Sequence, residues 1–159
     1  MMFEGRLKMP HFLKQSPISA SAAEVFAWHE KPDAFASIMP PWEKMKVLSQ
    51  SGPISETGSR ITLRIYVLGP IFMDWVSEHH DYQAGREFKD MQIKGPFQHW
   101  THTHRVLPVD ETHCVLEDSI DYALPLSPLS DWVAGWFVQQ KLTRMFNYRH
   151  AQLQKIFCP

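Results

Sequence analysis

Between residues 44 and 124 the chain reads as a train of short strands, and this feature restricts the fold more than any other. Residues 60–67 are the clearest case. Ile61, Leu63, Ile65 and Val67 alternate with Arg60, Thr62, Arg64 and Tyr66, the period-two pattern of a strand with one buried face. Further strands are expected over 9–18, 44–49, 71–82, 87–94, 97–106 and 113–124. Turn signals separate them at Gly69-Pro70, Ala84-Gly85, Gly95-Pro96 and Pro108 to Glu111. Consecutive strands joined by such short turns imply an antiparallel meander.

Helices are expected only on either side of this train. Ser21-Ala22-Ala23-Glu24 has the form of a capping box, with the serine hydroxyl and the glutamate carboxylate each able to meet the other's amide. That helix should end near His29, ahead of Pro32. A second short helix is expected over 33–39, stopped by Pro40-Pro41. After the last strand a long helix runs to about residue 157, capped by Ser127 or Ser130 with Pro128 in its first turn. Its apolar stripe is broken in two. Leu129, Trp132, Val133, Trp136 and Phe137 form one face, and Leu142, Phe146, His150, Leu153 and Phe157 another. No proline lies inside to kink it, so the two halves are expected to bury different sides.

A chain of 159 residues fits one domain, 1–159, with its own core. Sixteen Lys and Arg balance seventeen Asp and Glu, for a net charge of −1. No basic footprint for nucleic acid is present, so no nucleic-acid partner is expected. Cys114 and Cys158 are too few and too far apart for a disulfide framework. The first ten residues lack the apolar core of a signal peptide, and the best apolar run, at 65–73, is broken by Gly69-Pro70. No membrane span is expected, and a cytoplasmic location is the default.

The residues that bear chemistry cluster in the hairpin of residues 88–105. Trp100, His102 and His104 fall at i, i+2 and i+4, so all three point to one side of the sheet. A three-residue loop at Gly95-Pro96-Phe97 pairs Asp90 with His102 and brings Phe88 and Asp90 onto the same face. A two-residue loop would present Lys89 and Met91 instead. The first is preferred because it gives His102 a carboxylate neighbour. Asp118 stands among Leu116, Ile120 and Tyr122 on the apolar face of the last strand, a costly place for an unpaired carboxylate. His102, His104 or Arg149 can pair with it.

Two readings of these groups stay open. His102 and His104 with Asp90 or Asp118 have the chemistry of a metal site, but no third ligand is fixed by spacing. Alternatively they are hydrogen-bonded groups of a pocket, where an Asp-His couple either orients a ligand or does acid-base work. Arg149 and His150 can likewise bind an acidic ligand group or tie helix to sheet. Adjacent His79 and His80 point to opposite faces, which argues against a joint role. No nucleophile elbow, nucleotide-binding glycine loop or Cys-x-x-Cys is present.

The order strand, two short helices, six strands, long helix resembles the START-like, helix-grip superfamily, also called SRPBCC, over essentially the whole chain. Phe12, Ser16, Ile18, Ala20, Val25-Phe26, His29 and Pro32 are similar to its first strand and helix. Three stretches look like one bacterial subgroup: Phe88-Lys-Asp90 leading to Gly95-Pro96-Phe97, then Trp100-Thr-His102-Thr-His104, then Phe146-Asn-Tyr148-Arg149-His150. Asp121-Tyr122-Ala123-Leu124-Pro125 fits the end of the last strand. The resemblance implies an α+β fold in which a curved antiparallel sheet of about seven strands wraps the C-terminal helix. It also implies a cavity between the two and no metal or other cofactor.

The expected function is therefore binding of a hydrophobic small molecule that is lipid-like, aromatic or polyketide-like. Leu63, Ile65, Phe88, Trp100, Tyr122 and Trp136 are expected as apolar walls, and Asp90, His102, His104 and Asp118 as the polar end. The competing classes are a cyclase or dehydratase using His102, His104 and Asp118 as catalytic groups, and a protein-interaction module without a ligand. Whether the chain is an enzyme is left open by its residues.

Overall fold

The alternating segments assemble into one seven-stranded sheet in the computed structural model, which describes residues 9–127 and 129–158, with 67 and 68 as backbone only. The elements run β1 (His11–Ile18), α1 (Ala22–His29), α2 (Ala34–Ser37), β2 (Met45–Gln50), β3 (Arg60–Leu68), β4 (Ile71–Gln83), β5 (Glu87–Lys94), β6 (His99–Pro108), β7 (Cys114–Ala123) and α3 (Leu129–Phe157). Strand order is β1-β7-β6-β5-β4-β3-β2. Strands β2 to β7 form a meander, and β1 returns to pair antiparallel with β7. This is the α+β helix-grip architecture that the sequence implied.

Alternation puts charge on one face and apolar side chains on the other. On β3, Arg60 and Arg64 reach across to Glu78 and Asp74 of β4, at 2.6 and 2.8 Å, on the outer face. Ile61, Leu63 and Ile65 turn inward. The sheet is bent as well as twisted. Register shifts fall between Val47 and Ser49, Tyr66 and Leu68, Val76 and Ser77, and His80 and Gln83, and each bulge adds local curvature. Asp81, inside the last of these, takes a left-handed φ of 50°. At the β5–β6 hairpin Asp90 pairs with His102 and Phe88 with His104, the register of a three-residue loop. Gln92 holds that loop by donating from Nε2 to the carbonyl of Phe97 (2.8 Å). A Cβ on Gly95 would meet the Gln92 Oε1 at 2.3 Å, so a larger residue there would push the Gln92 side chain off the loop.

α1 is fixed by the expected capping box, with the Glu24 amide donating to the Ser21 hydroxyl (3.3 Å) and the Ser21 amide to the Glu24 carboxylate (3.0 Å). It delivers Val25, Phe26 and Trp28 into a core with Ile18, Phe88, Leu116 and Leu153. A second core joins Phe12, Trp100, Ile120 and Tyr122 to Leu142 and Phe146 of α3. Each large side chain buried this way contributes about 1.5–3 kcal/mol. α2 is a single turn, Ala34–Ser37, shorter than expected: Ile38 already leaves helical geometry at φ −106° and ψ 10°, and Met39 precedes a proline, where helical backbone is disfavoured.

α3 lies along β1. Gln139 donates to the His11 carbonyl and the Tyr122 hydroxyl (3.0 and 3.1 Å), and Gln154 to the Pro17 carbonyl (3.1 Å). Leu142, Phe146, Arg149, His150 and Leu153 are its buried residues. The first half departs from expectation, because it buries neither stripe. Trp132 is 85% exposed and Trp136 63% exposed, with Leu129, Val133 and Phe137 also open. The stripe rotates away from the sheet faster than the helix can follow without a kink. At the start of α3, Asp131 accepts the Leu124 amide (3.1 Å) and the Ser127 hydroxyl. Ser127 therefore donates to the helix's first turn rather than capping it, and the buried Ser130 hydroxyl has no partner among the described residues. The expected Pro128 position and the first eight residues lie outside the described residues. No described helix is long and apolar enough to cross a membrane.

Candidate functional site

Because the sheet curls while α3 touches it mainly along β1, a cavity of about 430 Å³ is left between them, within the roughly 300–1,000 Å³ usual for small-molecule sites. Its walls are mostly apolar. Ile61, Leu63 and Ile65 come from β3, Trp75 from β4, Phe88 from β5, and Phe97 and Trp100 from the β5–β6 loop and β6. Trp75, Phe97 and Trp100 pack mutually, with centroids 4.7–5.6 Å apart.

One end of the cavity is polar. Period two on β6 points Trp100, His102 and His104 inward. Pairing sets Asp118 of β7 and Phe88 of β5 beside His104, and Asp90 of β5 beside His102. Pairing of β4 with β5 adds His79 opposite Asp90, and α3 lowers His150 from above. Asp118 accepts from His102 Nε2 (2.7 Å) and His150 Nε2 (2.7 Å), and His104 Nδ1 lies 3.1 Å from the same carboxylate as an ion-pair contact. Asp90 accepts from His79 Nδ1 (2.6 Å) and His104 Nε2 (2.9 Å). Buried carboxylates are tolerated only when paired this fully.

His104 touches a carboxylate through each ring nitrogen. With Nε2 hydrogen-bonded to Asp90 and Nδ1 3.1 Å from Asp118, the ring sits between two anions, which favours its imidazolium form. Burial disfavours that charge, but Asp118 and Asp90 outweigh it and raise its pKa from 6.5 to about 9. His102, with its ring centroid 3.7 Å away, is driven the other way. Burial first, and the charge on His104 second, lower its pKa to about 4 despite its bond to Asp118. His29 stands 6.5 Å from the His104 ring and is also lowered to about 4 by burial. Burial works against ionised Asp90 and Asp118 too, yet their histidine partners hold both well below the usual carboxylate range. The Nε2 of His79 and the Nδ1 of His150 are buried with no hydrogen-bond partner among the described residues.

Asp90, His102 and His104 bring three ligand atoms within 4.8 Å of one another, a grouping that can hold a metal ion. The contacts from these histidines to Asp90 and Asp118 are 2.7–3.1 Å long. Ligands of a tetrahedral ion at roughly 2.0–2.1 Å stand about 3.3 Å apart. Within that trio His104 Nε2 and Asp90 are 2.9 Å apart, the spacing of a shared proton.

Of the residues expected at the site, Leu63, Ile65, Phe88, Asp90, Trp100, His102, His104 and Asp118 line the cavity. Tyr122 and Trp136 are corrections. Tyr122 is fully buried behind Trp100, with its hydroxyl held by Gln139. Trp136 sits on the solvent side of α3. The tie from helix to sheet is made by His150, while Arg149 has no ion-pair partner among the described residues. Reading residue by residue missed His79, His29, Trp75 and Phe97. His79 and His80 do point apart, but His79 alone joins the network. Its place opposite Asp90 depends on a register that two bulges shift, which no local pattern reveals.

A family profile described as "Domain of unknown function (DUF8410)" matches residues 16–157. No curated protein matches the chain. Solved structures share the fold. Norcoclaurine synthase from Thalictrum flavum, in complex with dopamine and hydroxybenzaldehyde, superposes with a TM-score of 0.68 at 14% identity, covering 93% of this chain and 86% of that one. A START superfamily protein from Mycobacterium smegmatis gives 0.64 at 14%, covering 92% and 96%. The ZhuI aromatase/cyclase from a Streptomyces species gives 0.62 at 19%, covering 92% and 90%.

Proposed function

The chain belongs to the DUF8410 family and carries the helix-grip fold of the START-like superfamily, and from that premise we propose that it binds a hydrophobic small molecule between its sheet and α3. The ligand is lipid-like, aromatic or polyketide-like. The observation that carries this is the cavity itself, with aromatic and aliphatic walls closed at one end by the Asp90–His104–Asp118 bridge. Apolar walls supply affinity, and a few fixed polar groups orient the ligand. A network with every carboxylate oxygen engaged is rigid, which suits orientation. Mass spectrometry of the purified protein, native and after extraction, tests the reading. A stoichiometric apolar compound, displaced in a variant with a filled cavity such as Ile65→Trp, is expected. Preparations that carry nothing and bind no apolar probe would end it.

A second reading is supported by one observation. His102 and His104 are adjacent, and their environments drive their pKa values apart, to about 4 and about 9. That places a standing acid beside a neutral imidazole, the arrangement a proton-moving enzyme uses. A cyclase or dehydratase acting on a bound carbonyl compound would employ both. Norcoclaurine synthase and the ZhuI aromatase/cyclase are enzymes built on this fold, although fold alone does not transfer activity. His102→Gln separates the readings. Retained binding with abolished conversion of a bound carbonyl compound favours the enzyme, whereas unchanged product profiles favour a carrier.

A further inference from the structure

Arg149 is a buried cation in the cavity wall without an anion. It lies on the inward stripe of α3, beside His150, and is 8% exposed. Its guanidinium stands 5.2 Å from the ring centroids of both Phe35 and Phe146. Its one polar contact is a weak one, from Nη2 to the Met39 sulfur at 3.8 Å. Its Nε is buried with no hydrogen-bond partner among the described residues. Among the described residues no carboxylate lies within 4.0 Å of it.

The acids of the cavity wall are already engaged. Asp118 and Asp90 are taken by histidines, and Glu43 pairs with Lys141 at 3.4 Å. A guanidinium keeps its charge in any protein environment, and burying it with empty donors is strongly disfavoured.

We infer that the ligand is an apolar carboxylic acid whose carboxylate pairs with Arg149 between Phe35 and Phe146. This deepens the binding function proposed above and rests on it. The planar fork of arginine matches a carboxylate through two parallel hydrogen bonds. The lysines that border the cavity, Lys31, Lys44 and Lys141, are exposed to water, which leaves Arg149 as the buried cation to be matched; its single charge is met by a carboxylate and exceeded by a phosphate dianion. The apolar body of the acid lies against Trp75, Phe97 and Trp100.

Matched acid and alcohol probes test this on the intact chain. We would titrate 2-naphthylacetate against 2-(2-naphthyl)ethanol, and dodecanoate against 1-dodecanol, following tryptophan fluorescence and heat. On the wild type the acids should bind about ten- to a hundredfold tighter than their alcohols, the scale of a charge-assisted hydrogen-bond pair. Arg149→Met should abolish the preference for acid over alcohol, and Arg149→Lys should fall between. Equal binding of acid and alcohol by the wild type overturns the inference and leaves cavity binding standing. So does an acid preference that survives in Arg149→Met. If neither member of any pair binds, the cavity reading itself falls. The wild-type comparison decides even where a variant fails to fold.

Discussion

Raising the pH from about 6.5 to about 9 should dismantle the bridge at His104 and destabilise the protein. In the unfolded chain His104 titrates near 6.5, and in the folded protein at about 9. The folded state therefore holds this proton more tightly. Its contribution is fully present below about 6.5 and is lost as pH rises through about 9. The gap of about 2.5 pH units, at about 1.4 kcal/mol each, is on the order of 3–4 kcal/mol. That is a large part of a typical domain's stability. The magnitude comes from a ring held 2.9 and 3.1 Å from two buried carboxylates. Urea unfolding between pH 6 and 10 measures it, with His104→Gln as the reference. The buried Cys114 thiol, whose pKa is also raised, destabilises both proteins alike at high pH and drops out of the difference. The stability gap between wild type and variant should shrink across the window. Imidazole NMR on the wild type gives a second readout that needs no variant. A gap that stays constant from pH 6.5 to 9.5, or a His104 midpoint near 6.5, would refute the bridged imidazolium.

Other outcomes follow from the same network. Asp118→Asn leaves His102, His104 and His150 facing an amide, and should cost about 3–5 kcal/mol by urea unfolding; a loss below about 1 kcal/mol would mean the three contacts carry little energy. As pH falls from about 6.5 to about 4, the unfolded chain protonates at His29 and His102 while the folded protein keeps both neutral, so the melting temperature should drop; a rise over that range contradicts their burial as neutral rings. Zinc at pH 7 must expel the proton from His104 before Asp90, His102 and His104 can act as ligands, so micromolar zinc should not raise the melting temperature, and a clear stabilisation with proton release would restore the metal reading. Trp136→Ser should leave binding of apolar probes unchanged, since Trp136 faces solvent, and a large loss of affinity would show that the first half of α3 closes over the cavity.

Much of the fold was legible because it rests on local rules. Alternation at residues 60–67 specified a half-buried strand, Ser21 and Glu24 specified a helix start, and Gly95-Pro96-Phe97 specified a hairpin. The hairpin register followed from requiring a carboxylate beside His102. The first half of α3 was misread because its apolar stripe carries the same pattern whether or not anything covers it. Trp132 and Trp136 look like core residues by spacing but are exposed, because their stripe rotates away from the sheet.

By itself the sequence determined the order and type of the elements and the shared face of Trp100, His102 and His104, because pleat and capping act over a few residues. Tertiary structure alone decided which groups meet at the polar end. His79, Asp90, His104, Asp118 and His150 arrive from four strands and a helix, and bulges set the offsets between the strands. Only the curl of the sheet against α3 leaves Arg149 buried beside those acids yet paired with none. Contacts of that kind depend on register and curvature summed over the whole sheet, and no local stretch of sequence encodes either.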